Sequence, residues 1–387
     1  MTLLEQAQRL AELVGAEAER SERDATLSPV VVEAFHQSGL FGLMVPKELG
    51  GAEADLPTVV AVYEAVCHAD GSAGWTLLAN ATTSAFAGAY TGPAAVATMF
   101  GGARIPVAAG QFSPRGTAVR AASAAGDRAT DGYVVSGRYS FGSGSAHSPW
   151  IGGGALELHD GEFVLSPTGA PTIRAYFVPR DRVEFLDNWD VMGLAGTGSY
   201  DYEVPEQTID EDFTFDLIAA PPRRGGPVYR LGVLGLTAAG HAAFALGVGR
   251  RGMDELTRIV QTKHRLGAEP LRDQQLFRHD YAMHDAALLA ARAFVFESFA
   301  AVQDVLEGGD DPTPVQRQRL RQATTYATRV ATDAVRFAYT AAGSDALRPS
   351  VLQRCFRDLH AATQHLVVDN NTLTETTRVL LSIEPAS

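Results

Sequence analysis

Two histidines stand five residues apart in "RDLHAATQH" (357–365), with Asp358 just before them. Such residues serve metal ligation, acid–base catalysis, or nothing beyond packing in a core. Two zinc ligands on one helical face want a spacing of four, with a carboxylate or third ligand nearby. A spacing of five advances a helix by roughly 500°, so the rings of His360 and His365 diverge by about 140°. Shared metal ligation is thereby excluded, and a site without metal is expected. An imidazole titrating near neutral pH remains suited to proton exchange, and a structural core histidine is the competing reading.

Other stretches carry chemistry of a different kind. "SFGSGSAHSPW" (140–150) and "GLAGTGSYD" (193–201) are rich in glycine and hydroxyl residues. Each is either a hairpin turn or backbone that approaches a flat ligand closely, with Ser143 or Ser145 hydrogen-bonding it. "QTKHRLGAEPLRDQ" (261–274) gathers Lys263, His264, Arg265 and Arg272, which fits a phosphate or a solvated helix end. "GVGRRG" (247–252) has the spacing of a dinucleotide fingerprint, but the apolar run before it is too long for a strand. Close helix packing explains those glycines better. No G-x-S-x-G nucleophile elbow occurs.

The elements that must position these residues fall into three blocks. Residues 1–104 read as helices, with Ser28 capping a helix opened by Pro29 and another over about 56–69. Residues 105–220 alternate short β-prone runs with turns such as Asp131-Gly132 and Asp160-Gly161, which implies an antiparallel barrel or sandwich. Residues 221–387 return to the helical period over 228–265, 270–306, 313–342 and 350–381, which implies a four-helix bundle. The fold class is therefore α+β, and the crevice between the β-domain and the bundle is a natural ligand site.

Composition narrows the function. Of 387 residues, 32 are Lys or Arg and 45 Asp or Glu, a net charge of −13 without basic blocks. Nucleic acid and anionic membrane surfaces are excluded as partners. The run "LGVLGLTAAGHAAFALGV" (231–248) nears membrane-spanning length, but His241, Thr237 and the lack of a companion span make it a buried helix. Two cysteines, Cys67 and Cys355, form no disulfide framework, and the first residues lack a signal peptide's apolar core; a cytoplasmic protein is expected.

Taken together, "GLFGLMVPKELGG" with "HADGSAGW", "GQFSPRGTAVR" with "SGRYSFGSGSAHSPWIGGG", "DNWDVMGLAGTGSYDYEV" and "LQRCFRDLHAATQH" resemble the acyl-CoA dehydrogenase superfamily across nearly the whole chain. They are closer to its flavin-dependent monooxygenase branch, whose members belong to two-component systems. The resemblance implies an N-terminal helical domain, a central β-domain and a C-terminal bundle that builds tetramers or dimers of dimers, with flavin between the last two. It places Ser143 against flavin N5, with Gly144, His147 and Trp150 beside the cofactor. Lys263, Leu266-Gly267 and Gln274, with Gly343, stand where the family grips flavin phosphates by an Arg–x–x–Phe–Gly motif and a later Gln. Lysine lacks arginine's fork, and Arg265 is the candidate to compensate. Trp75, Asn80 and His360 are the implied substrate contacts.

Acyl-CoA dehydrogenases carry a catalytic Glu whose position falls here at Leu366, and α-proton abstraction requires a base. His365 stands where the monooxygenase branch carries its active-site histidine. The implied function is oxygenation of a small aromatic or secondary-metabolite substrate by O2 and reduced flavin, FADH2 or FMNH2, through a C4a-hydroperoxyflavin. A separate flavin reductase is the implied partner. His365 would deprotonate the substrate or orient the hydroperoxide. An FAD-dependent acyl-CoA dehydrogenase or oxidase is the alternative, and a non-catalytic scaffold the third reading. Ala195, where the branch often has Arg, and the lack of a second His soon after Trp75 put simple phenol hydroxylation in doubt.

Overall fold

The computed structural model describes residues 1–121, 132–263 and 269–383. Five helices come first: α1 (Leu3–Arg23), α2 (Pro29–Gln37), α3 (Leu56–Ala69), α4 (Gly71–Tyr90) and α5 (Pro93–Phe100). Their starts obey local rules. Ser28 accepts from the Val31 amide with Pro29 in the first turn, and Asp55 and Asp70 cap α3 and α4 in the same way. Asp70 thus closes α3 and opens α4, which turns the chain sharply and leaves nearly all of α4 buried.

Eight strands follow: β1 (Ala108–Arg120), β2 (Gly132–Gly142), β3 (Trp150–His159), β4 (Glu162–Phe163), β5 (Ile173–Pro179), β6 (Glu184–Leu186), β7 (Tyr200–Asp210) and β8 (Thr214–Asp216). They form one sheet in the order β6-β7-β2-β1-β3-β5-β8, with β4 on β3. Asp160 and Gly161 both have positive φ, the two-residue turn that joins β3 to β4. Of the Asp131-Gly132 turn, Asp131 lies outside the described residues. All pairs are antiparallel except β1 and β3. That exception has a topological cause. The chain leaves β2, crosses over the start of β1 and enters β3 on its far side, so "SGSAHSP" is the crossing loop. The sheet interior is filled by Tyr133, Tyr139, Tyr176 and Tyr202. Their hydroxyls are satisfied within the sheet: Tyr139 donates to the Gly154 carbonyl at 2.9 Å and Tyr202 to that of Gly152 at 2.6 Å. The glycines of "WIGGGA" make room, since a Cβ on Gly153 would sit 2.6 Å from the Tyr176 ring.

The last block comprises α6 (Gly232–Thr262), α7 (Gln275–Glu307), α8 (Pro314–Ala342), α9 (Val351–Ala362) and α10 (Asn371–Leu380). The stretch around α6 is long and apolar enough to cross a membrane, but 72% of its most apolar window is buried inside the protein, against α3 and α8. The glycines of "GVGRRG" lie within α6 and face its neighbours: Gly247 the α3 backbone, Gly249 Ala331, Gly252 Val335. The expected final helix over 350–381 is broken. It stops at Ala362, His365 caps a 3-10 turn over Leu366–Val368, and α10 begins at Asn371. His360 and His365 therefore share no helix, and the 140° estimate does not apply to them.

A Cβ on Gly247 would lie 2.5 Å from the Glu64 carbonyl oxygen. Gly247→Ala should push α6 off α3 and cost about 1–3 kcal/mol, read as a lower denaturant midpoint with unchanged slope.

Candidate functional site

The crossing loop is held from below by one amide. Asn80, fully buried on α4, donates from Nδ2 to the carbonyls of Ala108 (3.1 Å) and Ser143 (3.2 Å), pinning the loop to the start of β1. Its Oδ1 accepts from His147 Nε2 at 2.9 Å. The amide of Asn80 is thus engaged by the protein itself. His147 does not face open space either. Its Nδ1 is buried without a partner, and burial draws its pKa down to about 4, so the ring is neutral. Gly144 has φ +72°, and a Cβ there would strike Asn80 Oδ1. Trp150 opens β3 with its ring stacked on Phe213 at 5.7 Å.

Above the loop, Ser143 Oγ accepts from Trp75 Nε1 at 3.1 Å and lies 2.8 Å from Ser199 Oγ. Ser199 Oγ is 2.6 Å from Thr197 Oγ1, which donates to the Leu194 carbonyl at 2.8 Å. The Leu194 amide donates to Asp358 Oδ1 at 2.6 Å. "GLAGTGS" therefore bridges the hydroxyl at Ser143 to α9. Its glycines permit the fit: a Cβ on Gly193 would lie 2.2 Å from the Arg357 carbonyl oxygen.

The ring of Trp75 also meets two histidines. His241 of α6 stands edge-on to the indole at 5.0 Å and His365 at 5.8 Å, while the two imidazoles lie 4.0 Å apart at an interplanar angle of 33°. Phe244 closes the wall at 5.0 Å from Trp75. His365 Nδ1 accepts from the Val367 amide at 3.2 Å, so the neutral ring carries its proton on Nε2. Burial pulls the pKa of His365 to about 4; that of His241, 4% exposed, is drawn well down by burial and by the neighbouring imidazole. In its resting form His365 is thus a hydrogen-bond donor, which of the two expected roles suits orienting an oxygen better than taking a proton. Leu366, at the position of the dehydrogenase Glu, is 71% exposed. Among the described residues no group of three or more His, Cys, Asp or Glu side chains is placed to hold a metal ion.

Sequence reasoning missed His241 as a site residue. Its signal was a lone imidazole inside an otherwise uninterrupted apolar run. His360, by contrast, donates from Nδ1 to the Phe356 carbonyl at 2.7 Å and stacks on the Phe356 ring, which stacks on Tyr339. His360 is half-buried against Phe356 on α9, and its ring does not pack on Trp75 as His241 and His365 do.

At the far end of the bundle a cavity of about 210 Å³ is lined by Lys263, Glu269, Leu271, Gln274, Thr340 and Ala341. Lys263 and Gln274 do converge there, beside Gly343, which ends α8 with φ +58°. Lys263 is not a free cation, however. It donates to the Ala342 carbonyl and pairs with Asp345 at 2.9 Å, and Gln274 donates to the Glu269 carbonyl. Arg265, with His264, Leu266 and Gly267, lies outside the described residues.

The chain matches the acyl-CoA dehydrogenase N-terminal domain over residues 2–94 and the acyl-CoA dehydrogenase C-terminal domain over 239–370. Indole-3-acetate monooxygenase of Pseudomonas putida is 31% identical over 348 residues, 89% of this chain and 84% of that protein. The chain belongs to the acyl-CoA dehydrogenase superfamily, in its flavin-dependent monooxygenase branch. The oxygenase subunit HsaA of Rhodococcus jostii is 24% identical, with 94% of each chain covered. The structure of XiaF from Streptomyces sp. in complex with FADH2 and glycerol superposes with a TM-score of 0.86 at 21% identity, covering 100% of this chain and 96% of that one. The expected fold, helical, then β, then helical, is that of the superfamily. As an oxidoreductase of this branch the chain needs a flavin, and Ser143 fits one. Its Oγ keeps a lone pair after serving Trp75 and Ser199, and Gly142 and Gly144 flank it with bare backbone. The phosphate end fits less well, since Lys263 is already paired.

Asp358, which holds the Leu194 amide, is itself under strain of charge. Burial, then the nearby Asp70 carboxylate, raise its pKa from 3.8 to about 7, and its Oδ2 has no hydrogen-bond partner. A raised folded-state pKa contributes stability that is complete below about pH 4 and is lost as pH rises through about 7. Asp358→Asn keeps an acceptor for Leu194 and removes the charge. It should leave stability near wild type at about pH 4 and raise it by about 2–4 kcal/mol at pH 8, measured by urea unfolding at both values.

Proposed function

We propose that this monooxygenase takes reduced flavin, FADH2 or FMNH2, from a separate reductase and inserts one atom of O2 into a small aromatic or secondary-metabolite substrate. When bound, reduced flavin supplies the electrons that activate oxygen. The single observation that carries the reading is the indole of Trp75. Its N–H binds the Ser143 hydroxyl, and its ring packs edge-on against His241 and His365. The flavin edge at Ser143 and the donor at His365 are thus held by one rigid ring. Trp75, Phe244 and the neutral imidazoles make walls that keep water out without adding charge. His365, through Nε2–H, gives a hydrogen bond to the oxygen being transferred or to the substrate heteroatom, and its tautomer is held by the Val367 amide.

Leu366 stands where acyl-CoA dehydrogenases carry their catalytic Glu and cannot take a proton, which disfavours acyl-CoA dehydrogenation. Assembly is proposed through α7, where Leu276, Met283 and Leu289 are exposed on the half turned away from α8 and suit a second copy in a tetramer or dimer of dimers. Free, buried Cys67 and Cys355 suit a cytoplasmic location.

The test supplies anaerobically reduced FMN or FAD, then O2 and an aromatic acid or indole, and compares oxygenated product with hydrogen peroxide. Wild type should couple flavin oxidation to product. His365→Ala should lower product yield about 100-fold and release peroxide instead. His365→Gln, which keeps an N–H donor but cannot act as a base, should recover part of the yield. Recovery no better than with alanine would return His365 to the role of base. Flavin reduction by an acyl-CoA would overturn the whole reading.

A further inference from the structure

The hydroxyl row between Trp75 and Leu194 has a direction. At one end the Trp75 indole N–H can only donate. At the other end the Leu194 carbonyl can only accept. Between them lie Ser143, Ser199 and Thr197, with successive separations of 3.1, 2.8, 2.6 and 2.8 Å. Four hydrogens, one from the indole and one from each hydroxyl, must fill four bonds. All four are made in one arrangement alone: Trp75 to Ser143, Ser143 to Ser199, Ser199 to Thr197, Thr197 to Leu194. Turning the row around gives up the Thr197–Leu194 bond and aims two donors, the indole and Ser199, at Ser143 together.

In the complete arrangement the one proton of Ser143 is committed to Ser199. What Ser143 offers outward is its remaining lone pair. The residues that enforce this are well held. Thr197 is fully buried and Ser199 2% exposed, and the Leu194 amide is tied to Asp358. Ser143 itself is 9% exposed.

We infer that Thr197 and Ser199 are positioning residues that turn the Ser143 hydroxyl into an acceptor, so that the pocket selects the reduced flavin over the oxidised one. The inference rests on the reading that flavin N5 lies at Ser143. Reduced flavin carries a hydrogen on N5 and can donate to that lone pair. Oxidised flavin presents a lone pair at N5, which meets the Ser143 lone pair unless the row is reversed and a bond lost. The row thus discriminates oxidation states by hydrogen-bond polarity, without any charged group. It also favours release of the flavin after turnover, when N5 has lost its hydrogen, and so frees the site for the next reduced molecule.

The experiment is an anaerobic titration of the full-length protein with oxidised FMN and, separately, with dithionite-reduced FMN; FAD is run in parallel. The ratio of the two dissociation constants is the readout, and it does not depend on turnover. Wild type should bind the reduced form at least about tenfold more tightly, equivalent to raising the midpoint potential of the bound couple by about 30 mV. Thr197→Val keeps the side-chain shape but deletes the hydroxyl, freeing the proton of Ser199 to turn back and that of Ser143 to face the flavin. Ser199→Ala frees the Ser143 proton directly. Both variants should bring the ratio down by about tenfold, while Thr197→Ser, which keeps the hydroxyl, should retain it. A variant that merely loosened the loop would weaken both forms together and leave the ratio intact, and that result overturns the inference. Equal binding of both forms by wild type overturns it as well. Binding of neither form of FMN or FAD overturns the flavin reading of the site itself.

Discussion

A hydrogen bond from the Trp75 indole to the Ser143 hydroxyl joins the two halves of the molecule's chemistry. It crosses from α4, which is buried almost throughout, to the crossing loop of the sheet. Everything else at the site is arranged around that bond. Asn80, one and a half turns further along α4, fixes the loop backbone from beneath. α6 and the turn after α9 bring His241 and His365 edge-on to the indole. A large, rigid aromatic with one polar atom suits this task, since it fills space on all sides yet must place its N–H against a partner. Trp75 belongs to the helical core, and its N–H reaches out to the loop of the sheet.

Much of the fold was legible from local rules. The cap at Ser28, the Asp160-Gly161 turn and the succession of helical, β-prone and helical stretches all correspond to what the chain does. The glycines of "GVGRRG" read correctly as packing because the helical pattern ran through them. The break after Ala362 was not legible from period alone. The residues that cause it, Val367 and Val368 followed by Asp369, Asn370 and Asn371, are individually tolerated in helices. Their side chains favour competing backbone bonds only in sum, as when Asp369 accepts from the Asn371 amide. The β1–β3 parallel pairing was likewise hidden, since which side of β1 the chain returns to is a tertiary matter.

The site divided in the same manner. Ser143 stands where its motif implied, but the partners that give it meaning, Ser199, Thr197 and Trp75, are 56, 54 and 68 residues away along the chain. His241 carried no motif. A histidine in an apolar helix is as often a packed core residue as a working one, and only the second imidazole at 4.0 Å distinguishes the cases. Asn80 and His147 were implied as ligand contacts by resemblance alone. In the structure His147 Nε2 bonds Asn80 Oδ1, while His147 Nδ1 has no partner. Lys263 reached the expected end of the bundle and found Asp345 there, a pairing no spacing rule anticipates.

The cluster around Asp358 also sets when the site can exist. Arg354 bonds Glu22 at 3.1 Å and lies 3.4 Å from Asp70, and Arg357 bonds Glu22 as well. These partners are more than 280 residues apart in sequence, yet they hold the loop that ends at Ser199. Contacts of such separation form late, because the loop they close must be ordered first. A chain still emerging from synthesis can build its first helices and its sheet, but the hydroxyl row stays unanchored until α9 docks. The pocket is therefore switched on by completion of the chain, and an unfinished molecule has no ordered place to hold a reactive flavin.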